Sequence, residues 1–485
     1  MLSNNVHKYS KTTIFLAIIL VFALLIVFTK NSCNLSQQYE FAVASIQLSN
    51  PVADDLPVTV PPTIEKKDDL PTVPPALQKK RFLPIPTDEV VDQGTDEMFE
   101  GQTILTYYRK LAAQVGNFGA QSSGGNIQLL SAFSYKDHYH AVIAVPRRIG
   151  ASIWCRYLDK DGKEIGDALE SVVYPYYVVY CSRRDGTVKL GITDKKDGVI
   201  SDINSMKLLK RKYKEYQQNV SYCLAPIYGT EPKWLHTIEL IEHYKLQGVN
   251  HFFIYIRTIS DYDRKAIDSY VKTGEVEIIE VPNTNNDVIA QQLMAVEDCL
   301  LRSRSYSKWS IFSDIDERLI MTDDRMTIDG FLRNVTDESI GSIAFPQRWI
   351  MKREQMPEKY ESDEQIMTKM ATRAWHETSS AAMKGHPICR EQPSCWAKDI
   401  VNNEKAIRML VHEVTDFYPG YREWFLDSSI GYIRHYRDVK MQNWESNNMK
   451  QLLQFGPFSN TSYPAVLGSK LTRNVLDRVH MVYGK

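Results

Sequence analysis

The chain has 485 residues, a net charge of −1, 43% hydrophobic residues and 11% aromatics. That length exceeds one ordinary domain and that composition supports a sizeable core, so one or two folded domains plus non-globular parts are expected. The balanced charge gives no field for nucleic acid, and no GxxxxGK[ST] or GxGxxG loop appears, which argues against kinases and dehydrogenases.

Residues 12–29 read TTIFLAIILVFALLIVFT, an uncharged run between Lys11 and Lys30. As a helix it reaches roughly 27 Å, enough for a thin bilayer. It is longer than the roughly 7–15 apolar residues of a cleaved signal peptide, and no small-x-small site closes it. Lys8, Lys11 and the α-amino group precede it, against Lys30 alone close after it. The expected order is a cytosolic tail (1–11), a transmembrane signal-anchor (12–29) and a lumenal remainder, as in a single-pass type II membrane protein.

Lumenal chemistry recurs downstream. Asn219-Val-Ser, Asn334-Val-Thr and Asn460-Thr-Ser are glycosylation acceptor triplets. Cys155, Cys181, Cys223, Cys299, Cys389 and Cys395 form an even set suited to disulfides in an oxidising compartment. Cys389 and Cys395 are the nearest local pair, and the lack of a second Cys/His pair beside them disfavours a zinc knuckle. Nine prolines lie between Pro51 and Pro86, where DDLPVTVPP is nearly repeated as DDLPTVPP. Such density blocks helix and sheet ladders, so 30–125 is expected to be a proline-rich stem.

The runs AVIAV, ASIWCRYL, SVVYPYYVVYC and TVKLGI, separated by DKDGKEIGD and SRRDG, predict a small β-rich lumenal domain over 126–215. From 216 to 485 the pattern becomes alternating. Strands are expected at 221–229, 251–256, 275–281 and 308–313, and helices at 234–247, 262–273 and 288–303. This β-α-β-α-β-α-β series predicts an α/β fold with a mostly parallel three-layer sheet.

The last of these strands runs into Asp314-Ile315-Asp316-Glu317. Open α/β sheets bind ligands at the carboxyl ends of their strands. Alternate residues of an extended segment point the same way, so Asp314 and Asp316 can face one cation. Their like charges call for such a partner, and a hard divalent ion needs few protein ligands when a diphosphate supplies others. An EF-hand is disfavoured because the sixth loop position is Leu319, where glycine is required.

The ordered blocks CLAPIYG, WLHTIELIEHYKLQGVNHFFIYI, YVKTGEVEIIEVP, QLMAVEDCLLR and KWSIFSDIDERLI resemble glycosyltransferase family 92, abundant in nematodes and similar in arrangement to Golgi β-1,4-galactosyltransferases. The resemblance covers roughly residues 220–440. It implies a GT-A fold for 216–485, an inverting mechanism, a UDP-sugar donor (UDP-galactose), Mn²⁺ or another divalent metal, a glycan or glycoprotein acceptor and Golgi residence. The segment KDIVNNEKAIRMLVHEV (398–414) resembles the family's basic strand ending in histidine, which falls on His412; Asn402-Asn403 stand where relatives have Arg-Pro. GYIRHYRDVK (431–440) resembles its late His-Tyr-basic motif. Carried over, Asp314, Asp316 and His435 are the metal ligands, Asp314 also faces the donor ribose, and Arg437 and Lys440 lie near the phosphates.

An inverting transfer needs a carboxylate to take the acceptor proton, and Glu377 and Glu413 are the candidates. Phe417, Tyr418, Tyr421, Trp424, Phe425 and Trp444 offer faces for a sugar ring, as do Arg348 and Trp349 in AFPQRWI, although core packing is the ordinary use of such residues. A non-catalytic lumenal glycan-binding protein that kept the fold is the alternative. Another metal-dependent nucleotide-using enzyme is a third reading, disfavoured by the anchor and the cysteines.

Overall fold

The computed structural model describes residues 97–98, 102–115, 126–144, 149–211, 213–282, 288–352, 356–372, 375–378, 397–438, 458–461 and 463–484. The expected anchor at 12–29, the proline-dense part of the stem, Cys33, the Cys389/Cys395 pair, Lys440 and Trp444 lie outside them. Among the described residues no helix is long and apolar enough to cross a membrane.

The end of the segment read as stem departs from expectation. Helix α1, Ile104–Val115, falls inside 30–125. The prolines all precede it, so nothing blocks its backbone ladder, and Ile104, Tyr108 and Ala112 recur every fourth residue on one buried face. That face packs against Tyr174, Tyr180, Ile407 and Tyr418.

The β-rich region holds strands β1 (Leu129–Ser134), β2 (His138–Ile143), β3 (Ser152–Leu158), β4 (Leu169–Val172), β5 (Val178–Ser182), β6 (Lys189–Thr193), β7 (Ser205–Lys207) and β8 (Leu209–Lys210). They form two four-stranded sheets, ordered β8-β1-β2-β5 and β4-β3-β6-β7. The run SVVYPYYVVYC is thus two strands in two sheets. Pro175 has no N–H for a ladder, and the chain turns there through Tyr174 N–H to Val178 O at 2.9 Å and Val178 N–H to Pro175 O at 2.8 Å. A Cys155–Cys181 disulfide ties the two sheets together.

Next come β9 (Gln218–Ile227), α2 (Trp234–Leu246), β10 (Phe252–Ile256), α3 (Asp261–Lys272), β11 (Val276–Glu280), α4 (Val288–Ser303) and β12 (Ser307–Ser313). The four strands are parallel in the order β11-β10-β9-β12. Successive side chains leave opposite faces: Tyr222, Leu224, Phe252 and Ile254 pack with α2 and α3, while Cys223, Phe253 and Tyr255 pack with α4. Three layers follow, and a Cys223–Cys299 disulfide joins β9 to α4.

The chain then adds β13 (Glu317–Met321), α5 (Ile328–Arg333), β14 (Ile340–Phe345), β15 (Gln347–Lys352), α6 (Asp363–Lys369), β16 (Trp375–Thr378), β17 (Lys398–Asn402), β18 (Ala406–Met409), β19 (Val414–Phe417), β20 (Arg422–Phe425), β21 (Gly431–Asp438), β22 (Phe458–Thr461) and α7 (Ala465–Tyr483). The large sheet grows to seven strands, β11-β10-β9-β12-β17-β14-β20, with β17 antiparallel to both neighbours. A second sheet, β13-β21-β15-β16-β22, begins where β12 ends. In it Glu317 lies opposite His435, and His435 opposite Trp349. The junction of the two sheets is the DIDE segment.

Candidate functional site

Glu317 shapes the junction. Its carboxylate is buried and accepts from Ser313 Oγ at 2.7 Å and from the Asp314 N–H at 2.9 Å, while its own N–H reaches Asp314 O at 3.2 Å. From beneath, buried Arg318 donates to the carbonyls of Ile315 (2.7 Å) and Glu317 (3.0 Å). The turn is therefore fixed by side chains on both faces, and the third acid of the motif is structural.

The two aspartates are aimed differently. Asp314 Oδ2 accepts from Lys398 Nζ at 2.8 Å and Asp314 Oδ1 from Gln292 Nε2 at 3.0 Å. Lys398 is 1% exposed and lies 3.5 Å from Glu317 Oε2 as well. Burial by itself would raise the Asp314 carboxyl, and Asp316 adds to that, but the Lys398 ammonium holds it below the usual carboxylate range. The reciprocal holds for Lys398: burial disfavours its charge, and Asp314 and Glu317 more than restore it.

Asp316 turns to the other sheet. Its Oδ2 lies 3.3 Å from His435 Nε2. His435 is buried, its ring stacks on Trp349 at 4.7 Å and 15°, and its Nδ1 faces the Gln347 carboxamide at 2.6 Å and Glu317 Oε1 at 3.4 Å. The Gln347 oxygen is buried without a partner, so turning that amide over would let it accept an Nδ1 proton. Nε2 then carries a bare lone pair, is buried without a hydrogen bond, and faces a carboxylate oxygen. A carboxylate oxygen set beside a tautomer-fixed imidazole nitrogen suits a divalent metal.

Among the described residues no three His, Cys, Asp or Glu side chains converge to hold a metal by themselves. Asp316 and His435 offer two ligands, and Asp314, expected as a third, is engaged by Lys398 and Gln292. The pair still fits a divalent ion whose remaining positions a diphosphate and water complete.

His412 sits in the turn between β18 and β19, half-buried, with its Nδ1 donating to Ala397 O at 3.1 Å. Burial first, then Lys398, push its pKa down to about 3 against the pull of Asp314, so the ring is neutral. Glu413 follows in the same turn, where its carbonyl accepts from Leu410 N–H at 2.8 Å. Burial, then Glu423 and more weakly Glu413, raise the buried Asp399 carboxyl well above its ordinary range. Glu377 is placed by its backbone on β16 opposite Ile350 and Ser459, and Arg437 on β21 opposite Met351.

Asn402 pairs with Trp309, near the opposite end of β12 from Asp314, and Asn403 bonds Ser307 O (2.8 Å) and Ser310 Oγ (2.9 Å). The Asn-Asn pair thus has no bearing on the acidic site. Tyr418 is core, hydroxyl to hydroxyl with Tyr108 at 3.1 Å; Trp424 packs on Phe331, and Arg348 covers the Tyr432 ring at 4.0 Å. Asn334 and Asn460 are exposed, whereas Asn219 donates from Nδ2 to Asp329 at 2.7 Å. Sequence reasoning missed Lys398, Gln292 and Gln347. Each lies in a quoted block, but only Lys398 carried a signal of its own type, as the basic residue opening the 398–414 segment.

The model of the family described as glycosyltransferase family 92 matches residues 218–471. Beta-1,4-galactosyltransferase galt-1 of Caenorhabditis elegans is 29% identical over 108 residues, which is 21% of this chain and a quarter, 25%, of that relative. Among solved structures, mannosyltransferase PcManGT from Pyrobaculum calidifontis, in complex with GDP-Man and Mn2+, is 10% identical over 56% of this chain and 77% of its own, with a TM-score of 0.25. Glucosyl-3-phosphoglycerate synthase from Mycobacterium tuberculosis, in complex with Mn2+ and UDP-glucose, is 11% identical over 55% and 79%, with a TM-score of 0.22.

Proposed function

Because the chain belongs to glycosyltransferase family 92, we propose that it is a divalent-metal-dependent inverting glycosyltransferase of GT-A type. In this reading it moves galactose from UDP-galactose to a glycan or glycoprotein acceptor. The observation that carries the reading is the approach of Asp316 Oδ2 to His435 Nε2, 3.3 Å apart at the carboxyl end of a parallel strand. The partial match to a β-1,4-galactosyltransferase supports galactose as the sugar.

Asp316 and His435 would hold a divalent ion, which would supply a Lewis acid to the diphosphate oxygens. Trp349 and Gln347 keep the imidazole in place, and Arg318 and Glu317 keep the turn rigid, so the ligands need no rearrangement. The acceptor hydroxyl attacks the anomeric carbon from the face opposite UDP. The new C–O bond forms, the C–O bond to the β-phosphate breaks, and UDP leaves with the electron pair. The hydroxyl proton passes to a carboxylate, for which we propose Glu413, in the turn with His412, or Glu377. Arg437 and Lys440 are proposed to face the phosphates.

The Cys155–Cys181 and Cys223–Cys299 disulfides support an oxidising compartment, and with residues 12–29 as anchor we place the enzyme in the Golgi as a type II protein. Endoglycosidase shifts lost in Asn334→Gln and Asn460→Gln test that topology. The function is tested on the purified full chain by release of UDP from a panel of UDP-sugars, with and without Mn²⁺. Release from UDP-galactose that needs the metal is expected. Turnover of no nucleotide sugar, with UDP still bound, favours the non-catalytic glycan-binding alternative.

A further inference from the structure

Lys398 is the group the proposed transfer does not account for. A lysine ammonium is expensive to bury, yet this one is 1% exposed inside the acidic turn. It bonds Asp314 at 2.8 Å and stands 3.5 Å from Glu317, and its charge is felt by Asp316 and His412. Glu317 Oε2, the oxygen nearer Lys398, already accepts from Ser313 Oγ and the Asp314 N–H, whereas Glu317 Oε1 is buried without a hydrogen bond. Asp314 is the solvent-facing half of the contact: its side chain is 28% exposed, against none for Glu317. Three carboxylates and one ammonium thus share the site where a metal and a diphosphate would meet.

We propose that Lys398 is an internal counter-cation that makes the site take a divalent ion together with a nucleoside diphosphate in preference to the bare ion. While the site is empty the ammonium neutralises Asp314, which weakens the attraction for a free metal. When a metal–diphosphate arrives, the anionic oxygens compete with Asp314 for the same ammonium, so the charge that opposed the metal now favours its partner. Gln292, on the other Asp314 oxygen, keeps that carboxylate in place during the exchange. No bond is made or broken; the device is one of charge and position. Lys398 acts through Asp314 and the phosphates and is a positioning residue. The inference rests on the glycosyltransferase reading and names what sets its preference for metal and nucleotide together.

The test measures binding, on the full chain, of Mn²⁺ alone, of UDP in EDTA, and of UDP at saturating Mn²⁺. Lys398→Met is expected to tighten bare Mn²⁺ at least tenfold and to weaken UDP at saturating Mn²⁺ at least tenfold. Lys398→Arg restores both to within about threefold of wild type, the charge being what matters. Asp314→Asn frees the ammonium and is expected to tighten UDP in EDTA, which keeps the idea testable if Lys398→Met does not fold. A merely structural lysine predicts that Lys398→Met weakens both ligands together and that Asp314→Asn leaves metal-free UDP binding unchanged; either result overturns the proposal. Wild-type chain that binds neither Mn²⁺ nor UDP overturns the glycosyltransferase reading itself, and this inference with it.

Discussion

Replacing Asp316 with Asn preserves the shape of the turn and removes the anion that faces His435 Nε2, 3.3 Å away. Asp316→Asn and His435→Ala are each expected to lower kcat/KM at least about a hundredfold and to weaken Mn²⁺ binding at least about tenfold, since each takes one of two protein ligands. Calorimetric titration with Mn²⁺ reads this directly, and undiminished metal affinity in both variants would remove the site. A different histidine carries a stability prediction. His140 is fully buried among Tyr108, Tyr135 and Tyr180, and neither ring nitrogen has a hydrogen-bond partner. Burial, with His138 and Arg304 nearby, pushes its pKa well below the ordinary value, so the folded chain holds it neutral. The unfolded chain takes up that proton below about pH 6.5, so this residue's stability is present above that pH and is lost as pH falls. His140→Phe fills the same aromatic box without the polar atoms. Relative to wild type it is expected to gain about 1.4 kcal/mol per pH unit below 6.5. Urea midpoints of the two proteins at pH 7.5 and 5.5 check it, and a pH-independent difference sinks it.

At the scale of elements, the β18–β19 hairpin links the β-rich region to the site. Its turn carries His412 and Glu413, while its stem is gripped from the other side: Tyr174 donates to Asp416 Oδ2 at 2.8 Å, Arg408 pairs with the same carboxylate, and Tyr418 meets Tyr108 of α1. Tyr174→Phe removes one partly buried hydrogen bond to a charged acceptor and is expected to cost about 1.5–3 kcal/mol. If the grip positions the turn, kcat falls while Mn²⁺ affinity stays unchanged, because Asp316, in the turn between β12 and β13, and His435, on β21, lie on other elements. A variant that loses stability with full kcat would reduce the contact to packing. The same contacts explain α1. Its sequence shows a helix with buried Ile104, Tyr108 and Ala112, but only the hairpin and the β-rich sheets give that face something to cover. On its own, beside a proline-rich segment, it reads as stem.

For the whole molecule, the β-rich sheets and the α4 face of the large sheet share one hydrophobic core. It runs from Phe133, Ala141 and Val179 to Phe253, Leu300 and Phe312. Arg302 of α4 reaches Ser131 Oγ at 2.6 Å, Tyr135 donates to Leu301 O at 2.6 Å, and Arg211 to Arg302 O at 2.7 Å. A chain restricted to 216–485 therefore exposes an apolar face and buried charges and is expected to aggregate or be cleaved under limited proteolysis. A cooperative melt of that fragment would show the core to be divisible. The α/β series was legible because strands such as HFFIYI and EVEIIEV and helices such as 234–247 are local patterns of burial, and periodicity is a property of neighbours in sequence. The place of Asp314 and Asp316 just past a strand was legible for the same reason, since a strand end is a local event. What the sequence could not assign was the division of labour within the motif. Lys398, Gln292 and Gln347 reach it from three separate elements, and the split of SVVYPYYVVYC into two sheets depends on partners in different sheets. The charge each carboxylate meets is set by contacts between residues far apart in the chain, and such contacts exist only once the two sheets have closed on one another.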